Sequence, residues 1–222
     1  MGTVTVLNTT TLNPITLMGE RAGVCWGGDI SDSKKNYKRG LSCLKSNHGR
    51  VLEYVNVELI IDGYSSKVMR EWYTHIGGMP SRLQSSTRYI NYDNFETVVP
   101  KSVKSNNFAM CVWEECIETI RDSIKTLKDL GIPNEDANGL LTLSTTTKVV
   151  DKRNLRNYID MSGNRMCTRA YWEYRDLFDD ICTELSKLSE EWKYIVDTYF
   201  KPKCEKLGFC PEDNGCGIYP NN

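Results

Sequence analysis

A chain of 222 residues is long enough to bury a substantial hydrophobic core of its own. Its 28 Lys and Arg against 29 Asp and Glu leave a formal charge of −1, so no overall positive field draws nucleic acid to it. The longest apolar run, Leu59-Ile60-Ile61, is far short of a membrane span, and no basic leader with an apolar segment opens the chain. The nine cysteines are odd in number and scattered, which reads as free thiols in a reducing compartment; the expectation is a cytoplasmic protein.

Val4, Val6 and Leu7 open the chain as a short β-run. A helix is expected from Pro14, with Ile15, Met18 and Ala22 on one face, stopping at Gly27-Gly28. Ser31 or Ser33 is expected to cap a second helix in which Tyr37, Leu41 and Leu44 share a face, broken by Asn47-His48-Gly49. From Val51 to Gly63 the chain alternates, with Val55, Val57, Leu59 and Ile61 on one side, and this is the strongest strand signal present. Val68, Trp72 and Tyr73 recur at helical spacing before Gly77-Gly78 and Pro80 end the helix. Ser81 to Tyr89 is expected as loop, and Thr97-Val98-Val99 as a short β-run.

Phe108 to Leu130 reads as the longest helix, with Val112, Cys116, Ile120, Ile124 and Leu127 in one buried stripe. Ala137 to Leu141 adds a helical turn, and Leu143 to Val150, rich in Thr and Val, a strand. Further helices are expected from Arg153 to Met161, interrupted at Ser162-Gly163-Asn164, then from Ala170 to Leu188 and from Glu190 to Phe200. Residues 201–222 read as an irregular tail holding Cys204, Cys210 and Cys216. Those three thiols could take a metal with a fourth ligand, but they lack the paired spacing of a zinc ribbon and read as free; Cys25 and Cys43 read as core. The pattern is one α+β domain, 1–200, followed by the tail.

Chemistry concentrates between Arg70 and Tyr89. Glycines free the backbone there, and Ser85, Ser86, Thr87 and Arg88 then offer hydroxyls, N–H groups and a guanidinium suited to a phosphate. The same run could equally be a polar surface loop.

Ser81 to Tyr89, SRLQSSTRY, resembles the Ser-x-x-x-x-Ser-x-Arg-Tyr signature of the flavin-dependent thymidylate synthases, which follows an Arg-His-Arg triplet. Here Thr74-His75-Ile76 stands at the triplet. The resemblance continues in order. Arg21 to Cys25 is similar to an Ala-Arg-x-Cys-Tyr helix, and His48 with Glu53 to a His-x-x-x-x-Glu step. Arg153-Asn154-Leu155 with Asn157 resembles an Asn-x-Arg-x-Leu helix, and Arg165 with Ala170-Tyr171-Trp172-Glu173 resembles Arg followed by Ala-Gln-Trp-Glu.

The resemblance implies a mainly antiparallel sheet with flanking helices, assembled as a homotetramer. It implies reductive methylation of deoxyuridylate with methylenetetrahydrofolate, FAD and NADPH. By position it assigns Glu71, Gln84, Ser85, Ser86, Thr87, Arg88, Asn138 and Arg165 to the nucleotide, and His48, Arg50, Glu53, Thr74, His75, Ile76, Arg153 and Asn157 to the flavin. Arg165 is implied as the electrostatic catalyst, since a fixed cation beside N3 and O2 stabilises an anionic pyrimidine. Ser86 has no evident base and is assigned to binding. The departures bear on substrate. Glu71 stands for a glutamine, Gln84 for a glutamate, Leu83 for an asparagine and Asn138 for an arginine, while Thr74 and Ile76 replace two arginines that Arg70 or Arg82 could substitute. Another pyrimidine nucleotide such as deoxycytidylate, or a non-catalytic nucleotide-binding relative, therefore stays open.

Overall fold

The computed structural model describes residues 2–221, which contain a mixture of helices and strands. Strands β1 (Thr3–Val6), β2 (Asn56–Ser65), β3 (Ser81–Gln84) and β4 (Thr146–Asn154) form one antiparallel sheet in the order β1-β2-β4-β3. The helices are α1 (Pro14–Cys25), α2 (Ser33–Lys45), α3 (Gly49–Leu52), α4 (Ser66–Trp72), α5 (Lys101–Lys104) and α6 (Asn107–Asp129). They continue as α7 (Asn134–Ala137), α8 (Leu155–Arg165), α9 (Trp172–Ser186), α10 (Glu190–Tyr199) and α11 (Lys203–Leu207). The chain packs as two compact units. One holds Ile61–Trp72 and Leu83–Val149; the other holds Val4–Ile60, Tyr73–Arg82 and the residues from Val150 onward.

The alternation read in β2 is real: Val57, Leu59 and Ile61 are all fully buried. The strand starts later than its apolar pattern, at Asn56, because Gly49 to Leu52 winds into α3 and leaves Glu53 at its C-cap. In β4 the same period carries Thr147, Val149, Asp151 and Arg153 inward. The strand expected to end at Val150 therefore runs through to Asn154, whose Oδ1 accepts from the Asn157 N–H at 3.0 Å and caps α8. A helix beginning at Arg153 is thereby corrected.

In the larger unit α1 and α2 meet backbone to backbone. Ile15, Met18 and Ala22 are buried as expected, while the cap of α2 is Asp32, not Ser31 or Ser33, accepting from Lys34 and Lys35 N–H at 2.9 and 3.1 Å. Cys43 is buried, but Cys25 is exposed and not core. Close approach is set by glycine: a Cβ on Gly19 would sit 1.8 Å from the Asn36 oxygen, and one on Gly40 1.9 Å from the Ile15 oxygen. Gly40→Ala should therefore force the helices apart at a cost of about 1–3 kcal/mol, whereas Gly139→Ala, facing open space, should not. Urea titrations of the two variants distinguish helix crossing from a general glycine effect.

Tyr158, Phe178 and Phe200 stack and cross edges between α8, α9 and the end of α10, with centroids 5.8–6.3 Å apart. Helix α8 does not break at Ser162-Gly163-Asn164: it continues to Arg165, with the Ser162 hydroxyl bonded back to the Ile159 oxygen at 2.7 Å. In the tail α11 forms, and Cys210 N–H donates to the Pro220 oxygen at 2.7 Å, while residues 208–221 carry no further helix or strand.

The other unit packs Tyr92, Phe95, Ile117 and Ile124 together, flanked by Trp113, Ile120 and Leu141. The stripe of α6 thus runs through Ile117 and Ile124. Val112 and Cys116, expected on it, are exposed, as is Phe108 at 79%. Thr97 pairs with Thr145 as an isolated antiparallel bridge, in place of a full β-run.

Candidate active site

The residues assigned to flavin all fall in the larger unit, together with Arg165. Two of them are spoken for. Arg153, with no side-chain exposure, gives Nε and Nη2 to the two carboxylate oxygens of Asp151, each at 2.6 Å. Its Nη1 donates to Asn157 Oδ1 at 2.6 Å and reaches the His75 backbone oxygen at 3.4 Å. This buried, bidentate pair, with Asn157, braces the loop that follows α4. That loop carries Gly78 and Met79 at φ of +72° and +53° and leaves Thr74 and Ile76 exposed. Arg82 closes it, with Nη1 on the Tyr73 oxygen at 2.9 Å and its guanidinium 4.3 Å from the Tyr73 ring.

In the first turn of α8, three residues on from Arg153, stands Arg156, which was not among the expected ligands. Its Nη1 donates to Glu53 Oε1 at 2.7 Å. Arg156 and Arg50 line one cavity of about 400 Å³ with Asn47 and Asp160. Arg50 also lines a second cavity of about 400 Å³ with Arg21, Trp26, His48 and Tyr54. Trp26 and Tyr54 are each 58% exposed, and the Trp26 and His48 rings meet edge-on at 6.4 Å. Two guanidiniums beside exposed aromatic rings form a donor set that fits a diphosphate joined to planar heterocycles. Burial parity along β4 places Arg153 inward, two residues after buried Asp151.

His75 sits half-buried under a different set of contacts. Its Nε2 accepts from Arg165 Nε at 2.8 Å, and its ring meets Tyr174 edge-on at 6.2 Å. Burial, then the cations of Arg165 and Arg153, push its pKa down to about 4, so the imidazole is neutral at ordinary pH. Arg165 ends α8, with its guanidinium carbon 4.6 Å above the centre of the fully buried Tyr174 ring.

The remaining residues assigned to the nucleotide lie in the other unit. Ser81 to Gln84 is strand β3 rather than loop, and the Ser85 N–H is committed to the Lys148 oxygen at 2.8 Å. Gln84 Nε2 donates to Thr147 Oγ1 at 3.2 Å. The turn beyond it is set by Ser86, whose hydroxyl oxygen accepts from the Arg88 N–H at 3.2 Å. Asn138, 3% exposed, donates Nδ2 to the Thr87 oxygen at 2.7 Å and holds the turn in place of an arginine. Glu71 is half-buried on α4, and Arg70 is exposed beside it.

Arg88 Nε donates to Glu135 Oε2 at 2.9 Å, both side chains being more than half exposed. A phosphate on the Nε edge of Arg88 would displace that carboxylate. Glu135→Gln should therefore tighten nucleotide binding, by up to about fivefold if the pair is worth the roughly 1 kcal/mol ceiling of exposed ion pairs. Calorimetric titration with deoxyuridylate checks this, and identical affinities would remove Arg88 from the phosphate site.

Cys167, Cys204 and Cys210 line a cavity of about 310 Å³ beside Arg165 and Arg169. Among the described residues no group of three or more His, Cys, Asp or Glu side chains could hold a metal ion.

Residues 6–189 match the family model of the thymidylate synthase complementing protein. A flavin-dependent thymidylate synthase of Nitratidesulfovibrio vulgaris is 29% identical, covering 88% of this chain and 82% of that protein. One from Thermococcus onnurineus is 35% identical, covering 74% and 68%. In fold, the chain is similar to a UMP/dUMP methylase, PolB, from Streptomyces cacaoi bound with 5-Br dUMP (TM-score 0.73, 16% identity, 90% of this chain and 96% of that one). It is also similar to thymidylate synthase X from Helicobacter pylori with FAD and dUMP (TM-score 0.68, 18% identity, 90% and 100%). Matched in sequence across most of its length and in fold across nine-tenths of it, the chain belongs to the thymidylate synthase complementing protein family.

Proposed function

We propose that this protein methylates deoxyuridylate at C5 to thymidylate as a flavin-dependent thymidylate synthase, drawing its carbon from methylenetetrahydrofolate and its reducing equivalents from NADPH. Family membership supports the reaction class. The observation that carries the assignment to this chain is the placement of Arg165 on a neutral imidazole and a buried aromatic ring. A cation so fixed suits a ring that becomes anionic before its C5 attacks carbon. FAD, when bound, supplies the hydride.

This chain's residues do the holding. Arg50 and Arg156 offer charge to the flavin diphosphate, with Glu53 orienting Arg156. Trp26, His48 and Tyr54 offer faces and edges to its rings. Ser85, Ser86, Thr87 and Arg88 hold the nucleotide phosphate, in a turn braced by Asn138. The assembly we propose is a homotetramer in which several copies complete each site, and the exposed Phe108 and Val112 on α6 favour burial against another copy. Among the described residues no helix is long and apolar enough to cross a membrane. The nine free cysteines favour a cytoplasmic setting.

The test is direct. The purified protein should be yellow with bound flavin, and with folate and NADPH should release tritium from C5-labelled deoxyuridylate. A colourless protein that takes up no flavin would overturn the reading. Glu71 and Asn138, where the motif leads one to expect glutamine and arginine, favour a second substrate of the same class, so deoxycytidylate and uridylate belong in the same assay.

A further inference from the structure

We infer that His75 and Tyr174 act as a pair of positioning residues that fix the guanidinium of Arg165 in a single orientation. The inference rests on the proposed role of Arg165 but adds two residues to it, one of them with no assigned role. The contacts come from two directions. His75 Nε2 accepts from Arg165 Nε at 2.8 Å, in the plane of the guanidinium, and Tyr174 lies 4.6 Å from its central carbon. An in-plane acceptor stops the group from sliding; an aromatic ring beneath it stops the group from tilting.

The two are themselves fixed. Tyr174 is fully buried on α9, and its ring meets the edge of His75 at 6.2 Å and 71°. The backbone of His75 is tied through its oxygen to the buried Arg153, which Asp151 holds. The chemistry requires a neutral imidazole, since protonated Nε2 would be a donor facing a donor. Burial, with the cations of Arg165 and Arg153 flanking it, keeps it so.

An arginine held by both contacts enters the reaction already aimed, so no reorganisation is needed as charge develops on the ring. Loss of the clamp should then appear in turnover rather than in nucleotide binding. His75→Leu removes the acceptor, and His75→Gln restores one on a similar reach. Tyr174→Leu removes the ring beneath the guanidinium.

The experiment pairs kinetics with NMR of protein labelled with ¹⁵N-arginine. Hydrogen exchange at Arg165 Nε–H should speed at least tenfold in His75→Leu and return most of the way in His75→Gln. In the same variants kcat should fall about 10- to 100-fold and recover, with nucleotide KM changed less than threefold and flavin content unchanged. Tyr174→Leu should also speed the exchange and lower kcat, and unchanged exchange in it would remove Tyr174 from the clamp. Unchanged exchange in His75→Leu overturns the clamp. So does a loss of flavin that parallels the loss of kcat, because His75 would then act on the cofactor. Faster exchange with unaltered kcat leaves the clamp standing and removes Arg165 from the proposed reaction, so the two failures are separable.

Discussion

Arg165→Ala should lower turnover of deoxyuridylate by about 10²–10³, the usual consequence of deleting one preorganised donor. The size follows from timing. The uracil ring carries little charge when it binds and a full negative charge when C5 attacks, so a cation at its edge contributes mainly in the transition state. Arg165→Lys keeps the charge but loses the planar group that lies over Tyr174 and the Nε–H that reaches His75. The lysine variant should bind nucleotide nearly normally and turn over poorly, while alanine should lose part of the binding as well. Tritium release from C5-labelled substrate reads the step directly. Near wild-type release by the alanine variant would remove Arg165 from the mechanism.

The second large effect concerns stability. Asp151→Ala leaves the Arg153 guanidinium buried and without its carboxylate, a change worth about 3–5 kcal/mol for a broken interior ion pair. For a domain of ordinary stability that is roughly a fifth or more of the total. Replacing both partners, as in Asp151→Leu with Arg153→Met, removes the buried charge altogether and should recover most of the loss. Urea denaturation of the single and double variants measures the difference. A double variant no more stable than the single one would show that packing, not charge, sets the site. The single variant should also loosen the His75 backbone, which Arg153 reaches through Nη1.

Periodicity carried far in this chain because burial obeys it. The inward set Val55, Val57, Leu59 and Ile61 was legible from alternation alone, and so were the starts of α1 at Pro14 and α10 at Glu190, whereas α9, expected from Ala170, begins at Trp172. Boundaries failed where side-chain partners decide them. Asp151 and Arg153 look like surface residues one at a time; only as neighbours on the inward face of β4 do they neutralise each other, extend the strand and move the helix start. Ser162-Gly163-Asn164 reads as a turn, yet the Ser162 hydroxyl bonds back along α8 and the helix persists to Arg165.

The sequence by itself determined the mixed α and β composition, the order of the motifs, and the segments in which nucleotide and flavin chemistry was to be sought. These depend on residue type and spacing along the chain, which folding does not alter. Tertiary structure alone decided which members of those segments are buried against partners and which line cavities. It withdrew Arg153 and Asn157 into the interior, brought Arg156 and Arg50 to one cavity, and set Arg165 between His75 and Tyr174, residues 90 and 9 positions away in the chain. The physical reason is that a charged side chain is either a ligand or a structural partner according to what desolvates it. That is a property of neighbours brought together by folding, and no linear spacing encodes it.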